Sequence, residues 1–208
     1  VVILLDVSDS MLAKSPGKSL THLDEAKNAL RAVISGMSPE TRVQVWTFST
    51  RMEQVTVKKG KPRAFTPVGD ALQRVELLAR IQEIRVDGGT NLYRSVIAAL
   101  DLFADPRDQA AYRGGLRFPV LVIVSDGEDW GKTGHTLEQV QAAARKLPLV
   151  TVTAVGFTVG QGDPWFKTLC QLATRLSGCA TADDQRQLQA LLDSFYRPPD
   201  AAALKARP

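Results

Sequence analysis

Residues 1–11, Val1-Val-Ile-Leu-Leu-Asp6-Val-Ser8-Asp-Ser10-Met11, begin with five unbroken apolar side chains, stop at Asp6 and continue as Asp-x-Ser-x-Ser. Five apolar residues suit a strand buried on both faces and are too few for a helix or a membrane span. Asp6, Ser8 and Ser10 are therefore expected at the carboxyl end of a central strand, where open α/β sheets hold their ligands. A second run of this kind, Val120-Leu-Val-Ile-Val124, follows Phe118-Pro119 and leads into Ser125-Asp126-Gly127. Neither run alternates with polar residues, so helices are expected over both faces of the sheet.

The rest of the chain supplies those helices. Thr21 followed by Asp24 and Glu25 marks a helix start, and Leu23, Ala26, Leu30, Val33, Ile34 and Met37 recur at helical spacing, predicting a helix over 22–37. Residues 42–48 and 52–58 alternate like strands across a very short turn, which implies an antiparallel partner at the sheet edge. Further helices are predicted over 70–84, with Ala71, Leu72, Val75, Leu78, Ala79 and Ile81 as the buried face, and over 92–103, 136–146 and 163–177. Strands at 149–156 and 179–181 and a last helix ending at Tyr196, with Leu188, Leu191, Leu192 and Phe195 inward, complete the pattern. Strands alternating with helices predict an α/β fold: a doubly wound, mostly parallel six-stranded sheet with one antiparallel edge strand and helices on both faces. One domain is expected over 1–196, and the Pro/Ala-rich residues 197–208 read as the start of a linker. Because the sequence starts inside a strand, without a leader, it reads as a domain of a larger multidomain protein.

Composition narrows the function classes. In 208 residues, 44% are hydrophobic and 23% charged, which is ordinary for a globular domain and excludes disordered, collagen-like and coiled-coil classes. The net charge of +4 comes from 26 basic residues scattered among 22 acidic ones, which argues against nucleic acid as the partner. The densest basic stretch, Lys58 to Arg63, reads as a solvated loop. Cys170 and Cys179 lack metal-site spacing; they are either two buried thiols or one disulfide, and an extracytoplasmic setting, periplasmic or at the cell surface, is favoured over the cytoplasm. His22 and His135 have no partner at ligand spacing and are expected to be solvated or packed. Gly127 to Thr133 looks like a phosphate loop, but it is one residue short and Glu128 and Asp129 would repel phosphate.

Three polar clusters fall where ligand loops belong: Asp6-x-Ser8-x-Ser10, Gly88-Gly89-Thr90 and Asp126. All supply oxygen and none supplies a soft ligand, which suits Mg²⁺ or Mn²⁺ better than Ca²⁺ in a small rigid loop cluster. Taken singly, each residue has a plainer use: Asp6 or Ser10 as a helix cap, Thr90 as the N-cap of the third helix, Asp126-Gly127 as a tight turn. Together they favour a metal site.

With DVSDSM, GGTNL and VSDGED in that order on those elements, residues 1–196 are similar to a von Willebrand factor A domain bearing a metal-ion-dependent adhesion site. The resemblance implies that Ser8 and Ser10 ligate the ion through their hydroxyls and that Asp6 and Asp126 hold it directly or through water. It implies further that Thr90 ligates in the ligand-competent state, leaving one position for a Glu or Asp carboxylate of a protein partner. The expected function is a divalent-metal-dependent adhesion or scaffold module and not an enzyme. Asp9 departs from the family pattern, which often has glycine there, and is expected to point to water. A metal-dependent phosphohydrolase of the haloacid-dehalogenase kind is the alternative, but it needs an acid two positions after Asp6, where this chain has Ser8. A degenerate A domain with a purely structural role is the third reading.

Overall fold

Every position of β1 (Val2–Asp6) is buried, and its side chains divide by parity: Ile3 and Leu5 join one apolar cluster, Val2 and Leu4 another. The computed structural model, which describes residues 1–57, 64–127, 134–174 and 178–196, builds a layer of helices over each of these clusters. The Lys58–Arg63 loop, most of the phosphate-loop look-alike and residues 197–208 lie outside the described residues. On one face, α1 (His22–Gly36), α2 (Ala71–Glu83) and α7 (Gln185–Tyr196) contribute Leu30, Val33, Ile34, Leu77, Ile81, Leu188 and Leu192. On the other, α3 (Leu92–Asp101), α4 (Pro106–Arg113), α5 (Leu137–Arg145) and α6 (Pro164–Cys170) contribute Val96, Leu100, Tyr112, Val140, Trp165 and Leu169. Each large aliphatic side chain buried this way stabilises the fold by about 1.5–3 kcal/mol.

The sheet runs β3 (Met52–Gln54), β2 (Arg42–Phe48), β1, β5 (Val120–Ser125), β6 (Thr151–Phe157), β7 (Cys179–Ala182). From β2 to β7 all pairings are parallel, and β3 runs antiparallel to β2 at the edge. This is the expected topology, with one addition: a two-residue strand, β4 (Thr66–Pro67), pairs antiparallel with the start of β2. Parallel strands end at one edge, and the register brings their ends level. Leu5 pairs with Val124 and Ser125 with Gly156, so Asp6, Ser125 and Phe157 finish side by side.

Local chemistry explains where the elements begin. The Thr21 hydroxyl accepts the Asp24 N–H at 3.1 Å and the Asp24 carboxylate accepts the Thr21 N–H at 3.4 Å, a capping box at the expected start of α1. Three details differ from expectation. The buried face of α2 is Leu77 and Ile81, whereas Leu72 and Val75 are exposed, because the apolar cluster that α2 shares with α1 takes in Leu77 and Ile81. The helix expected over 163–177 ends at Cys170, which is joined to Cys179 by a disulfide with Cα atoms 5.2 Å apart. That link draws the chain back toward β7, and Thr174 exchanges hydrogen bonds with Val152 of β6 instead of continuing the helix. The third is α4, which no apolar periodicity announces; its signal is Asp105-Pro106, a capping aspartate followed by proline in the first turn.

Candidate metal centre

Asp6 ends β1 with no exposed surface. Its Oδ1 accepts the Ser8 N–H at 2.8 Å and its Oδ2 the Ser125 hydroxyl at 2.6 Å. Burial pushes its carboxyl up to about 6, against the pull of the bonds from Ser125 and Ser8, with the nearby Asp126 charge raising it further. A buried acid in this condition is one that a cation would favour in its ionised form.

The chain after Asp6 enters a single 3-10 turn at Asp9–Leu12, and this turn sets the serines together. Ser8 Oγ and Ser10 Oγ are 3.0 Å apart, and the Ser10 hydroxyl donates to Asp126 Oδ1 at 2.6 Å. Ser8 is buried while Ser10 and Asp9 are exposed, so the cluster opens to solvent on the Ser10 side and Asp9 lies at its rim, as expected. Asp126, at the end of β5, turns Oδ2 toward Nδ1 of His22 at 3.2 Å.

Thr90 arrives from the third loop, which is bonded to both neighbours. Asp87 N–H donates to Val7 O, Asp9 N–H to Gly88 O and Asn91 N–H to Ser49 O, all at 2.8 Å. Gly88 takes φ +71°, which a side chain would resist, and this bend lets the loop close over the first motif. Thr90 is 4% exposed, and the N-cap of α3 is Asn91, so the capping use of Thr90 does not apply. A Cβ added to Gly127 would sit 3.2 Å from Ser10 Oγ and 4.0 Å from Thr90 Oγ1. The absence of a side chain at Gly127 therefore leaves a space faced by hydroxyls of two loops.

The structure thus brings Asp6, Ser8, Ser10 and Asp126 into one bonded network, with Thr90 facing the same space from the side. These donors fit a hard divalent ion: two carboxylates and three hydroxyls, all oxygen. Among the described residues no group of three or more His, Cys, Asp or Glu is placed to hold a metal, so the hydroxyls are essential to any such site. Two participants were not singled out from sequence. Ser125 enters the sequence reading only as the residue that follows the strand ending at Val124, within VSDGED, yet it holds Asp6. His22 is packed, as expected, but its partner lies 104 residues away, a distance at which spacing carries no signal. A groove of about 700 Å³ lies beside the Thr90 loop, lined by Arg51, Glu53, Arg85 and Asp87 among others, and the candidate residues do not line it.

Residues 1–128 match the family model of the von Willebrand factor type A domain. No curated protein matches the chain. Solved structures share the fold. Proximal thread matrix protein 1 from the mussel byssus is 17% identical with a TM-score of 0.65 over 93% of this chain and 44% of its own. That protein has also been solved with a zinc-occupied MIDAS motif. A von Willebrand factor type A protein from Catenulispora acidiphila is 19% identical with a TM-score of 0.69, covering 93% of this chain and 40% of its own. The pilus adhesin SpaC from Lactobacillus rhamnosus GG, in its open conformation, is 13% identical with a TM-score of 0.65, covering 93% and 29%. The chain therefore spans less than half the length of each of these three.

Proposed function

The chain belongs to the von Willebrand factor type A domain family, and on that premise we propose that it is a non-enzymatic interaction module that binds an acidic side chain of a protein partner through Mg²⁺ or Mn²⁺. The observation that carries this reading is the Ser8–Ser10–Asp126 cluster beside buried Asp6, with the Thr90 hydroxyl facing the same space. In it, Ser8, Ser10 and Thr90 hold the ion through hydroxyls, and Asp6 and Asp126 hold it directly or through water. When bound, the ion supplies positive charge at the sheet edge. Two carboxylates only balance that charge and the hydroxyls add none, so a third carboxylate from outside is attracted.

The chain's own residues prepare for this. Ser125 and the Ser8 amide fix both oxygens of Asp6, so that carboxylate cannot swing away. Ser10 is exposed at the rim, where a side chain on another protein's surface has access. The matrix protein and the pilus adhesin among the structural neighbours, and the Cys170–Cys179 disulfide, support an extracytoplasmic adhesion or scaffold role within a larger protein. Among the described residues no helix is long and apolar enough to cross a membrane.

The test is calorimetric titration with MgCl₂ and MnCl₂, paired with melting curves in each salt and in EDTA. A metal at a hundred times its Kd stabilises the folded state by about 2.7 kcal/mol, and Ser10→Ala should remove that response. No heat and no melting shift in either salt, with millimolar glutarate added as the carboxylate, would overturn the proposal.

A further inference from the structure

Asp126 is gripped from two sides. Its Oδ1 accepts the Ser10 hydroxyl, and its Oδ2 lies 3.2 Å from Nδ1 of His22, the first residue of α1. His22 is 9% exposed, its ring edge-on to Phe157 with centroids 5.9 Å apart, and the same Nδ1 lies 3.1 Å from Thr158 Oγ1. The surroundings of that nitrogen assign its hydrogen. An ionised carboxylate only accepts, and the Thr158 hydroxyl gives its own hydrogen to the Phe157 carbonyl at 2.7 Å, so both neighbours of Nδ1 are acceptors. Nδ1 therefore carries a hydrogen in either charge state of the ring and donates it toward Asp126.

Thr158 adds an independent observation. Among the described residues it is the non-glycine at positive φ, 59°, a conformation that a β-branched side chain resists. Such strain persists where the surroundings over-determine it and collects at functional sites. Here the Thr158 N–H is bonded to Ala182 O at 2.7 Å and its hydroxyl to His22. Glycine would take the same backbone without strain, but it has no hydroxyl.

We propose that His22, braced by Thr158, is a positioning residue for the cation site: by occupying Asp126 Oδ2 it leaves Oδ1 alone to face the Ser8 and Ser10 hydroxyls. The proposal rests on the reading of this cluster as a cation site. Without the donor, Asp126 keeps only the Ser10 bond at Oδ1, and nothing fixes the position of Oδ2. Loss of a hydrogen-bonding partner behind a metal ligand lowers metal affinity by about 10–100-fold.

The experiment measures Mn²⁺ affinity by calorimetry, and melting temperature in EDTA, for the wild type, His22→Phe, His22→Asn and Thr158→Gly. His22→Phe keeps a ring against Phe157 but has no donor; its Kd for Mn²⁺ should rise by about 10–100-fold, and its melting temperature in EDTA should fall as well, because Asp126 Oδ2 loses that partner. His22→Asn restores an N–H near the Nδ1 position and should recover most of the affinity, although it melts lower for want of the ring. Thr158→Gly should melt no lower than the wild type and yet bind Mn²⁺ more weakly. A purely structural role gives a different order, with affinity following melting temperature. The proposal is overturned if His22→Phe binds as tightly as the wild type or if His22→Asn binds as weakly as His22→Phe. Should His22→Phe not fold, an unchanged affinity in Thr158→Gly overturns it. Wild-type protein that melts cooperatively but takes up no Mn²⁺ defeats the cation-site reading itself, and this proposal with it, which is a separate result.

Discussion

Asp6→Asn should stabilise the metal-free domain and at the same time abolish its response to divalent ions. Burial is the main reason the Asp6 carboxyl rises from 3.8 to about 6. At 1.36 kcal/mol per pH unit, that rise means that ionising Asp6 disfavours the folded state by about 3 kcal/mol. Between pH 3.8 and about 6 the folded protein keeps a proton that the unfolded chain has released. Stability from this group is thus fully present below pH 3.8 and falls as pH rises, until it is lost above about 6. Asparagine has the same shape and never ionises. Its oxygen still accepts the Ser8 N–H, and its amide can donate to Ser125 Oγ, whose hydrogen then turns to the Gly127 carbonyl, 3.1 Å away. No buried polar group loses its partner. In EDTA at pH 7.5 the variant should therefore be more stable by up to about 3 kcal/mol, or up to about 6–12 °C in melting temperature for a chain of this size. The two proteins should converge near pH 4, and Mg²⁺ should raise the melting temperature of the wild type alone. Urea unfolding followed by circular dichroism in EDTA, repeated from pH 4 to 8, measures the difference directly, and subtraction cancels the other titrating groups. A difference that does not change with pH, or a variant less stable than wild type at pH 7.5, would refute the reasoning.

Three further outcomes are expected. The Cys170–Cys179 bridge spans nine residues, so its loop-closure term is about 2.6 kcal/mol; replacing both cysteines by serine should lower the urea midpoint accordingly, and an unchanged midpoint would contradict this. Thr21→Ala removes the N-cap of α1 and should cost about 1 kcal/mol in urea unfolding at pH 7. Lys27, and then Thr21, hold the Asp24 carboxyl below its ordinary 3.8, so its contribution is present above that pH and lost as pH falls, and the gap between wild type and variant should narrow in acid. Gly127→Ala places a methyl 3.2 Å from Ser10 Oγ; displacing one hydroxyl ligand should weaken Mn²⁺ binding about tenfold in calorimetry. Its melting temperature should stay near that of the wild type, since the alanine also restricts the unfolded chain.

What could be read in advance follows from how far each signal reaches along the chain. The two apolar runs ending at Asp6 and Ser125 are local, and they placed β1 and β5 and, with them, the edge that holds the site. The Thr21–Asp24 box is likewise a four-residue signal, and α1 starts where it says. On α2 the expected face holds at Ile81 and Leu78 and fails at Leu72 and Val75, which are exposed, because periodicity describes what a helix could bury, whereas its neighbours decide what it does bury. Asp6, Ser8, Ser10, Thr90 and Asp126 were legible as motifs. Their support was not: Ser125 holds Asp6 across 119 residues, and His22 meets Thr158 across 136. Such pairings arise only when parallel strands end level, a property of register that no single stretch of sequence contains.

The network around the candidate site also fixes where its charges lie. Both oxygens of Asp6 have donors, Ser10 is bonded to Asp126, and His22 bonds the other oxygen of Asp126. What protein donors do not relieve is the electrostatic load of a buried carboxylate beside a second one, seen in the raised value at Asp6. A dication held as proposed would offset that load. On the proposed reading, the affinity of this site for a cation would be drawn from charge already placed in the folded domain.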